Sequence, residues 1–435
     1  MIYYIDPLEG KDTNCGTCME QPRKNYRILE LQPGDTVLFR RGRILRDTLD
    51  RVAGTPKQSI TYGAYGEGIN PVFCGSVNVR QREKWLEISP NIWKYLDDTL
   101  PEVGNVIFDH GKGCGTLRWE EPLLRAQGDW FDSCMGMRGE KGAERKFLLY
   151  SEGNPADVYR RIECSRAQYI LSQNASYTIC EDLCFFGGMH GMAMGADHVT
   201  VRRCSFAYIG GAVWSRERRI RYGNAVEFWT FGQDIRIEDC YFDNIYDSCI
   251  THQGPHGACE PAKNLVMRNN LCMRYGMGAY EARDRMLIDS VFEGNICVDA
   301  GGGFGAQGDT VPRNSEIYPQ PMGHHVFLWR IDGPENSGSF TVADNVFSGA
   351  AGAAIYSIID PEAEKQMILR GNRYQTGAGA LINAFFQQNY REFDSYRSSG
   401  REKNPAWGIE DGELEQMVAE WFRRSGAQGP EFCDF

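Results

Sequence analysis

The chain has no positive charge to spare. Its 435 residues include 47 Lys or Arg against 58 Asp or Glu, a net charge of −11, and only seven His. That balance argues against nucleic acid or an anionic membrane as a general partner. No run approaches the roughly eighteen consecutive apolar residues of a membrane-spanning helix, so none is expected. The opening Met1-Ile-Tyr-Tyr-Ile-Asp6 has neither the basic stretch nor the apolar core of a signal peptide, and a cytoplasmic location is expected. Also missing are HExxH, an EF-hand loop, a P-loop, a dinucleotide fingerprint and a Gly-x-Ser-x-Gly elbow, so neither metal nor organic cofactor is expected. A disulfide framework is not indicated either. The cysteines number fifteen, an odd count, and many (Cys180, Cys184, Cys249, Cys272, Cys297) fall at inward strand positions as reduced core thiols would. Cys15-Gly-Thr-Cys18 has CxxC spacing but lies in a Gly/Asn-rich turn without a second pair, and reads as a turn.

What is present is glycine, at 49 residues, and a 42 % hydrophobic content that can fill a large core. From Asn174 to Phe385 one phrase returns: an alternating apolar strand, a small or amide residue, a few more apolar residues, a Gly-rich turn and another strand. Copies include Val199-Thr-Val-Arg-Arg-Cys-Ser-Phe206, Ile235-Arg-Ile-Glu-Asp-Cys-Tyr-Phe242 and Phe340-Thr-Val-Ala-Asp-Asn-Val-Phe347. Aligned on the turn, one column holds Asp182, Cys204, Cys240, Asn270, Asn295, Asn345 and Asn372, with steps of 22, 36, 30, 25, 50 and 27. Such a period marks a solenoid. The copies lack a 3.6-residue period and are too short for crossover helices, so they predict an all-β, right-handed parallel β-helix. Stacked Asn side chains are expected to bond one another at one corner of successive coils, with Cys204 and Cys240 as buried fillers.

Four segments follow. Residues 1–84 read as an N-terminal cap with the first coils. Residues 85–165 break the repeat and concentrate Trp85, Trp93, Trp119 and Trp130, predicting an inserted β subdomain. Residues 166–400 form the β-helix core. Residues 401–435 carry Leu414, Met417, Val418, Trp421 and Phe422 at helical spacing, with acids before and Arg423-Arg424 after, predicting a C-terminal capping helix.

The opening run, with Tyr3-Tyr-Ile-Asp6, Pro33-Gly-Asp-Thr-Val-Leu-Phe-Arg-Arg-Gly42 and Ser59-Ile-Thr-Tyr-Gly-Ala-Tyr-Gly-Glu-Gly68, resembles the N-terminal cap of the pectate-lyase-like β-helix superfamily. The later coils share the resemblance. It implies the fold and a carbohydrate substrate, while the superfamily spans lyases, hydrolases, esterases and epimerases.

Chemistry is sought on the strands after each Gly-rich turn. They align as Gly191-Met-Ala-Met, Ala212-Val-Trp-Ser, Ala225-Val-Glu-Phe-Trp, Cys249-Ile-Thr-His-Gln, Gly278-Ala-Tyr-Glu-Ala, Gly303-Phe-Gly-Ala-Gln, Ala354-Ile-Tyr-Ser and Ala380-Leu-Ile-Asn. Three in a row hold Glu227, His252 and Glu281. Two strand spacings put the glutamates about 9–10 Å apart at the backbone, with His252 expected between them. Carboxylates about 6.5–9.5 Å apart suit an inverting glycosidase and about 5 Å a retaining one, which slightly favours inversion. In this alignment Glu227 stands one position ahead of the other two, so strict alternation turns one of the three inward unless a bulge intervenes. Asp247 is a further candidate acid. Trp214, Arg216, Trp229, Gln253, Tyr280, Arg283, Asp284 and Arg313 are candidate substrate-binding residues. Arg216, Arg218, Arg219 and Arg221 form a basic cluster suited to anions. The insert from Gln307 to Gly338 brings Asp309, His324, His325, Trp329 and Arg330, and adjacent histidines on a strand point opposite ways.

The expected function is hydrolysis of a glycosidic bond in an oligosaccharide, with Glu227 and Glu281 dividing acid and base (or nucleophile) roles and His252 orienting. A lyase or uronate epimerase would instead use His252, Tyr280 or an arginine as base, with Arg283, Arg285 or Ca²⁺ on the carboxylate. A glycan-binding solenoid without catalysis is the third reading. The sequence specifies neither sugar, linkage nor oligomeric state.

Overall fold

The computed structural model describes residues 1–429 except 137–144, 173, 230–231, 256–260, 285–286, 308–312, 314–320, 332–337, 378 and 387. Each repeat contributes one strand to each of three long sheets. The first sheet has eleven strands and runs from Ile2–Ile5 to Met367–Arg370; the second has ten, from Ile44–Leu45 to Ala406–Trp407. The third has nine, from Tyr169–Ser172 through His190–Met194, Val226–Trp229, Ser248–Gln253, Gly278–Arg283, His324–Trp329, Ala353–Ile358 and Leu381–Phe385 to Gln388–Tyr390. Neighbours pair in parallel except for the last pair of the third sheet. This is a parallel β-helix, in which each coil satisfies the edge of the one before. Among the described residues no helix is long and apolar enough to cross a membrane.

The turn between the first and second sheets shows why the repeat reads as it does. Asp182, Arg203, Asp239, Asn269, Gly294, Asp344 and Gly371 occupy it with φ between +51° and +65°. Asp, Asn and Gly enter that left-handed region at least cost. The residue after each faces the core. There Asn270 Nδ2 donates to Asn295 Oδ1 (3.0 Å), Asn295 Nδ2 to Asn345 Oδ1 (3.0 Å), and Asn345 Nδ2 to Asn372 Oδ1 (2.8 Å). The four asparagines do stack at one corner. The expected column is corrected at its start: Leu183 stands in it, and Asp182 lies one position early. The left-handed bend is likewise carried by the preceding residue and not by the Asn itself. The ladder ends on Glu402, whose carboxylate accepts from Asn372 N and Nδ2 and from the Tyr374 and Tyr396 hydroxyls at 2.6–2.9 Å.

Inside, a phenyl column runs through Phe73, Phe185, Phe206 and Phe242 with ring centroids 5.0–5.9 Å apart. In register, Cys272 and Cys297 continue it before Phe347 and Tyr374. The small thiols leave room for His325, whose ring stacks on Phe347 at 5.2 Å and meets the Tyr275 hydroxyl.

Residues 76–166 leave the coil. They build a four-stranded and a five-stranded sheet dominated by antiparallel pairs, around a separate core of Trp85, Trp119, Trp130 and Phe147. Val213 belongs to that core and ties this segment to the hairpin Ala212–Ser215/Ile220–Tyr222. That hairpin corrects the alignment of Ala212-Val-Trp-Ser with the third sheet. Gly303–Gly305 is similarly a single 3₁₀ turn, and the coil after Gly278–Arg283 supplies His324–Trp329 instead. The C-terminal helix Glu413–Ser425 lies along a flank of the solenoid. Its Trp421 packs with Tyr241, Leu271, Ile296 and Val346, the outward residues of four successive coils in the second sheet.

Candidate active site

The register of the third sheet decides which side chains meet. Glu227 pairs with Thr251, and Thr251 with Glu281. Phe228 pairs with His252, and His252 with Ala282. Alternation therefore sends Glu227, Thr251 and Glu281 to the outer face together. The residue that turns inward is His252. It is fully buried, its ring stacked on Phe228 at 5.0 Å with Tyr280 edge-on at 5.8 Å. The expected placement of His252 between the glutamates is corrected: Thr251 holds that place. Tyr280 is also a core residue, at 0 % exposure, and presents no face to a sugar.

Glu281 is held from three sides. Trp329 Nε1 donates to Oε1 (2.8 Å), and the Ser248 and Thr251 hydroxyls donate to Oε2 (2.8 and 3.2 Å). Burial dominates nonetheless and pushes its carboxyl above the usual carboxylate range, against the pull of Arg283 and these donors; Asp247 adds to the rise. Glu227 sits in a more polar setting. Asn224 Nδ2 donates to its Oε2 at 2.8 Å, and His190 Nδ1 lies 3.2 Å from the same oxygen. The Asn224 backbone N–H points at His190 Nδ1 (3.1 Å), and Tyr169 stacks on the imidazole at 5.0 Å.

His190, Asn224, Ser248 and Thr251 are the members of this cluster that sequence reasoning missed. Asn224 and Ser248 each precede their strand's central outward residue by three positions, a shared offset the sequence displays. His190 opens the strand one coil before Glu227.

The other expected residues are placed as follows. Asp247 Oδ1 accepts from Arg313 Nη2 (2.8 Å) and its Oδ2 from Gly223 N (2.8 Å), so this carboxylate anchors Arg313 beside the site. Trp229, Gln253, Arg283 and Trp329 form the next outward row. Gln253 Nε2 donates to Thr251 Oγ1 (3.3 Å), Arg283 donates to Gln253 Oε1, and the Arg283 guanidinium lies 5.3 Å above the Trp329 ring. Asp284 pairs with Arg330 (3.1 Å) and Arg283 (3.5 Å). Trp214 stands exposed on the hairpin, edge-on to Tyr222. The basic cluster disperses: Arg216 reaches the Ser133 carbonyl, Arg219 pairs with Glu120, and Arg221 is buried against the Gly211 and Gly104 carbonyls. His324 faces outward against Tyr356 and His325 inward, both pushed down to about 3 by burial. Asp309 and Arg285 lie outside the described residues. Among the described residues no group of three or more His, Cys, Asp or Glu side chains has the arrangement of a metal site.

Three parallel sheets closed into one coil set the fold class: the chain is a parallel β-helix. No family model matches it, and no curated protein does. Solved structures with similar coils include XylC in complex with xylose, at 12 % identity over 88 % of this chain and 68 % of that one, TM-score 0.48. A GH136 lacto-N-biosidase from Eubacterium ramulus matches at 12 % identity over 94 % and 68 %, TM-score 0.44. The pectate lyase Pel9A matches at 13 % identity over 88 % and 78 %, TM-score 0.40. None of these likenesses assigns a role to a residue of this chain.

Proposed function

We propose that this β-helix hydrolyses a glycosidic bond, with Glu281 as general acid and Glu227 as general base. The observation that carries the reading is one outward row holding two glutamates in register, separated by a single strand bearing Thr251. Two strand spacings put the two backbones about 9–10 Å apart, a separation from which the side chains can reach the roughly 6.5–9.5 Å carboxyl spacing that suits inversion. The environments divide the roles. Glu281, buried with its carboxyl raised, holds a proton to give the leaving oxygen. Glu227 lies nearer solvent and among polar neighbours, the setting of a carboxylate that takes a proton from water. The lyase and epimerase readings lose two of their candidate bases, since His252 and Tyr280 lie in the core.

Glu227→Gln and Glu281→Gln should each lower turnover at least about a hundredfold while leaving the fold intact, because the amide keeps shape and loses proton transfer. Reducing-end release from a panel of oligosaccharides measures the loss, and circular dichroism checks the fold. Near wild-type rates in both variants would show that the chemistry lies elsewhere. Product absorbing in the ultraviolet would replace hydrolysis by elimination.

A further inference from the structure

His190 meets Glu227 through a single nitrogen. Its Nδ1 accepts the Asn224 backbone N–H (3.1 Å) and lies 3.2 Å from Glu227 Oε2. A nitrogen that accepts an N–H presents its lone pair, so the ring proton of the neutral imidazole sits on Nε2. A ring turned over would meet that N–H with a carbon. Asn224 holds both partners in place. Its Oδ1 accepts Ser248 N (3.0 Å), which fixes the direction of the amide and turns Nδ2 to Glu227 Oε2 (2.8 Å). The backbones are tied as well, since Gly191 N donates to the Asn224 carbonyl (3.2 Å). Tyr169 stacks on the imidazole at 5.0 Å, and Tyr222 leans against it at 5.6 Å. Glu227, Tyr169 and Tyr222 are thus titratable groups that face His190. His190 is 4 % exposed and Glu227 8 %.

We infer that His190 is a positioning residue for Glu227, accepting a hydrogen bond from the carboxyl that Glu227 becomes when it takes a proton from water, a role that rests on the hydrolase reading above. With Glu227 ionised and His190 neutral, Oε2 and Nδ1 face each other with lone pairs and no proton between them. In the reaction the water oxygen bonds to the sugar carbon. The bond from that carbon to the leaving oxygen breaks, and its electron pair goes to the leaving oxygen. Glu281 gives that oxygen its proton, and Glu227 takes one from the water. Carried on Oε2, that proton points at the Nδ1 lone pair, and an unfavourable contact becomes a hydrogen bond without any movement of the ring. The gain arises only as the proton moves, so it acts on kcat rather than on substrate binding.

Two measurements on the full-length protein test this. Long-range proton–nitrogen NMR spectra of the ¹⁵N-labelled protein read which imidazole nitrogen carries the proton, and the His190 signals are assigned by their loss in His190→Asn. They should show the Nε2–H tautomer and a titration step that disappears in Glu227→Gln. The Nδ1–H tautomer, or a titration unaltered in Glu227→Gln, overturns the inference. These spectra need no substrate, so they decide the matter even where no sugar is cleaved. The second measurement is the pH profile of turnover on the fastest-cleaved member of a panel of xylo-, cello-, manno- and galacto-oligosaccharides. His190→Phe keeps a ring beside Tyr169 but offers no lone pair. It should lower kcat about tenfold with little change in KM, and move the acidic limb to lower pH, because the protonated carboxyl loses its acceptor. His190→Asn, whose amide oxygen can stand where Nδ1 stands, should recover most of the rate and return the limb. A limb that stays in place in a folded His190→Phe reduces His190 to packing and overturns the inference, while large losses in Glu227→Gln and Glu281→Gln leave the hydrolase reading standing. Normal turnover in both glutamine variants removes the hydrolase reading and this role with it.

Discussion

In the proposed acid role Glu281 would set the pH behaviour. Its carboxyl is raised by burial, so as general acid it would donate a proton below that elevated pKa and lose the ability as pH rises through it. Turnover should fall on the alkaline side accordingly. The Trp329 indole N–H favours the charged form, so Trp329→Phe should move that limb to higher pH; an unmoved limb would remove Glu281 from the acid role. The same shift acts on stability. A carboxyl with a folded pKa above its unfolded one adds stability that is fully present below the unfolded value, near 4.3, and is lost as pH rises through the folded value. Glu281→Gln should therefore gain thermal stability relative to wild type at pH 7 and show little difference at pH 4. His252 gives the opposite contrast. Its ring is part of the core, so His252→Ala should cost about 2–4 kcal/mol in urea unfolding, as large-to-small core changes do. Turnover per folded molecule should change by less than about threefold.

In the coils, stability rests on the amide ladder and on the flanking helix. Asn345→Ala removes an acceptor from Asn295 and a donor to Asn372; it leaves the buried Asn295 N without its side-chain acceptor, while Asn295 Nδ2 keeps the Met267 carbonyl. A buried group stranded in this way costs about 1–3 kcal/mol, so a loss of that size is expected in denaturant unfolding. A loss under about 1 kcal/mol would mean water fills the gap. Trp421 covers outward apolar residues of the second sheet and donates its indole N–H to the Asn269 carbonyl (2.8 Å). Trp421→Ala should cost about 3 kcal/mol and increase binding of a hydrophobic dye, because it uncovers that flank. An unchanged unfolding midpoint would show the helix to be an accessory.

Among the described residues thirteen cysteines are free and most are buried, while Cys259 and Cys433 lie outside the described residues. Burial raises the thiols of Cys164, Cys204 and Cys297, which keeps them protonated and unreactive. Thiol titration in denaturant under non-oxidising conditions should find close to fifteen per chain. Titration of the folded protein should find only a few. Several missing thiols in the denatured sample would reveal a disulfide that the fold does not need.

The repeat, the all-β class, the amide ladder and the C-terminal helix were legible in the residues alone. They arise from short-range rules: alternation along strands, left-handed turns at Asp, Asn and Gly, and apolar spacing along a helix. The two outward glutamates were legible as well, because acids stand out on strands that are otherwise apolar. Register was not. A shift of one residue exchanges the faces of a strand, and it placed His252 in the core and Thr251 between the glutamates. Nor could Trp329 be seen as a partner of Glu281, 48 positions away, or His190 as a neighbour of Glu227, 37 positions away. Coils separated by inserts of unequal length meet only when the strands pair, so sequence distance carries no trace of those contacts. The direction of the C-terminal helix was equally open until packing was known. Its apolar stripe fits any apolar surface, and only the exposed row of the second sheet, assembled from four coils, selected the flank.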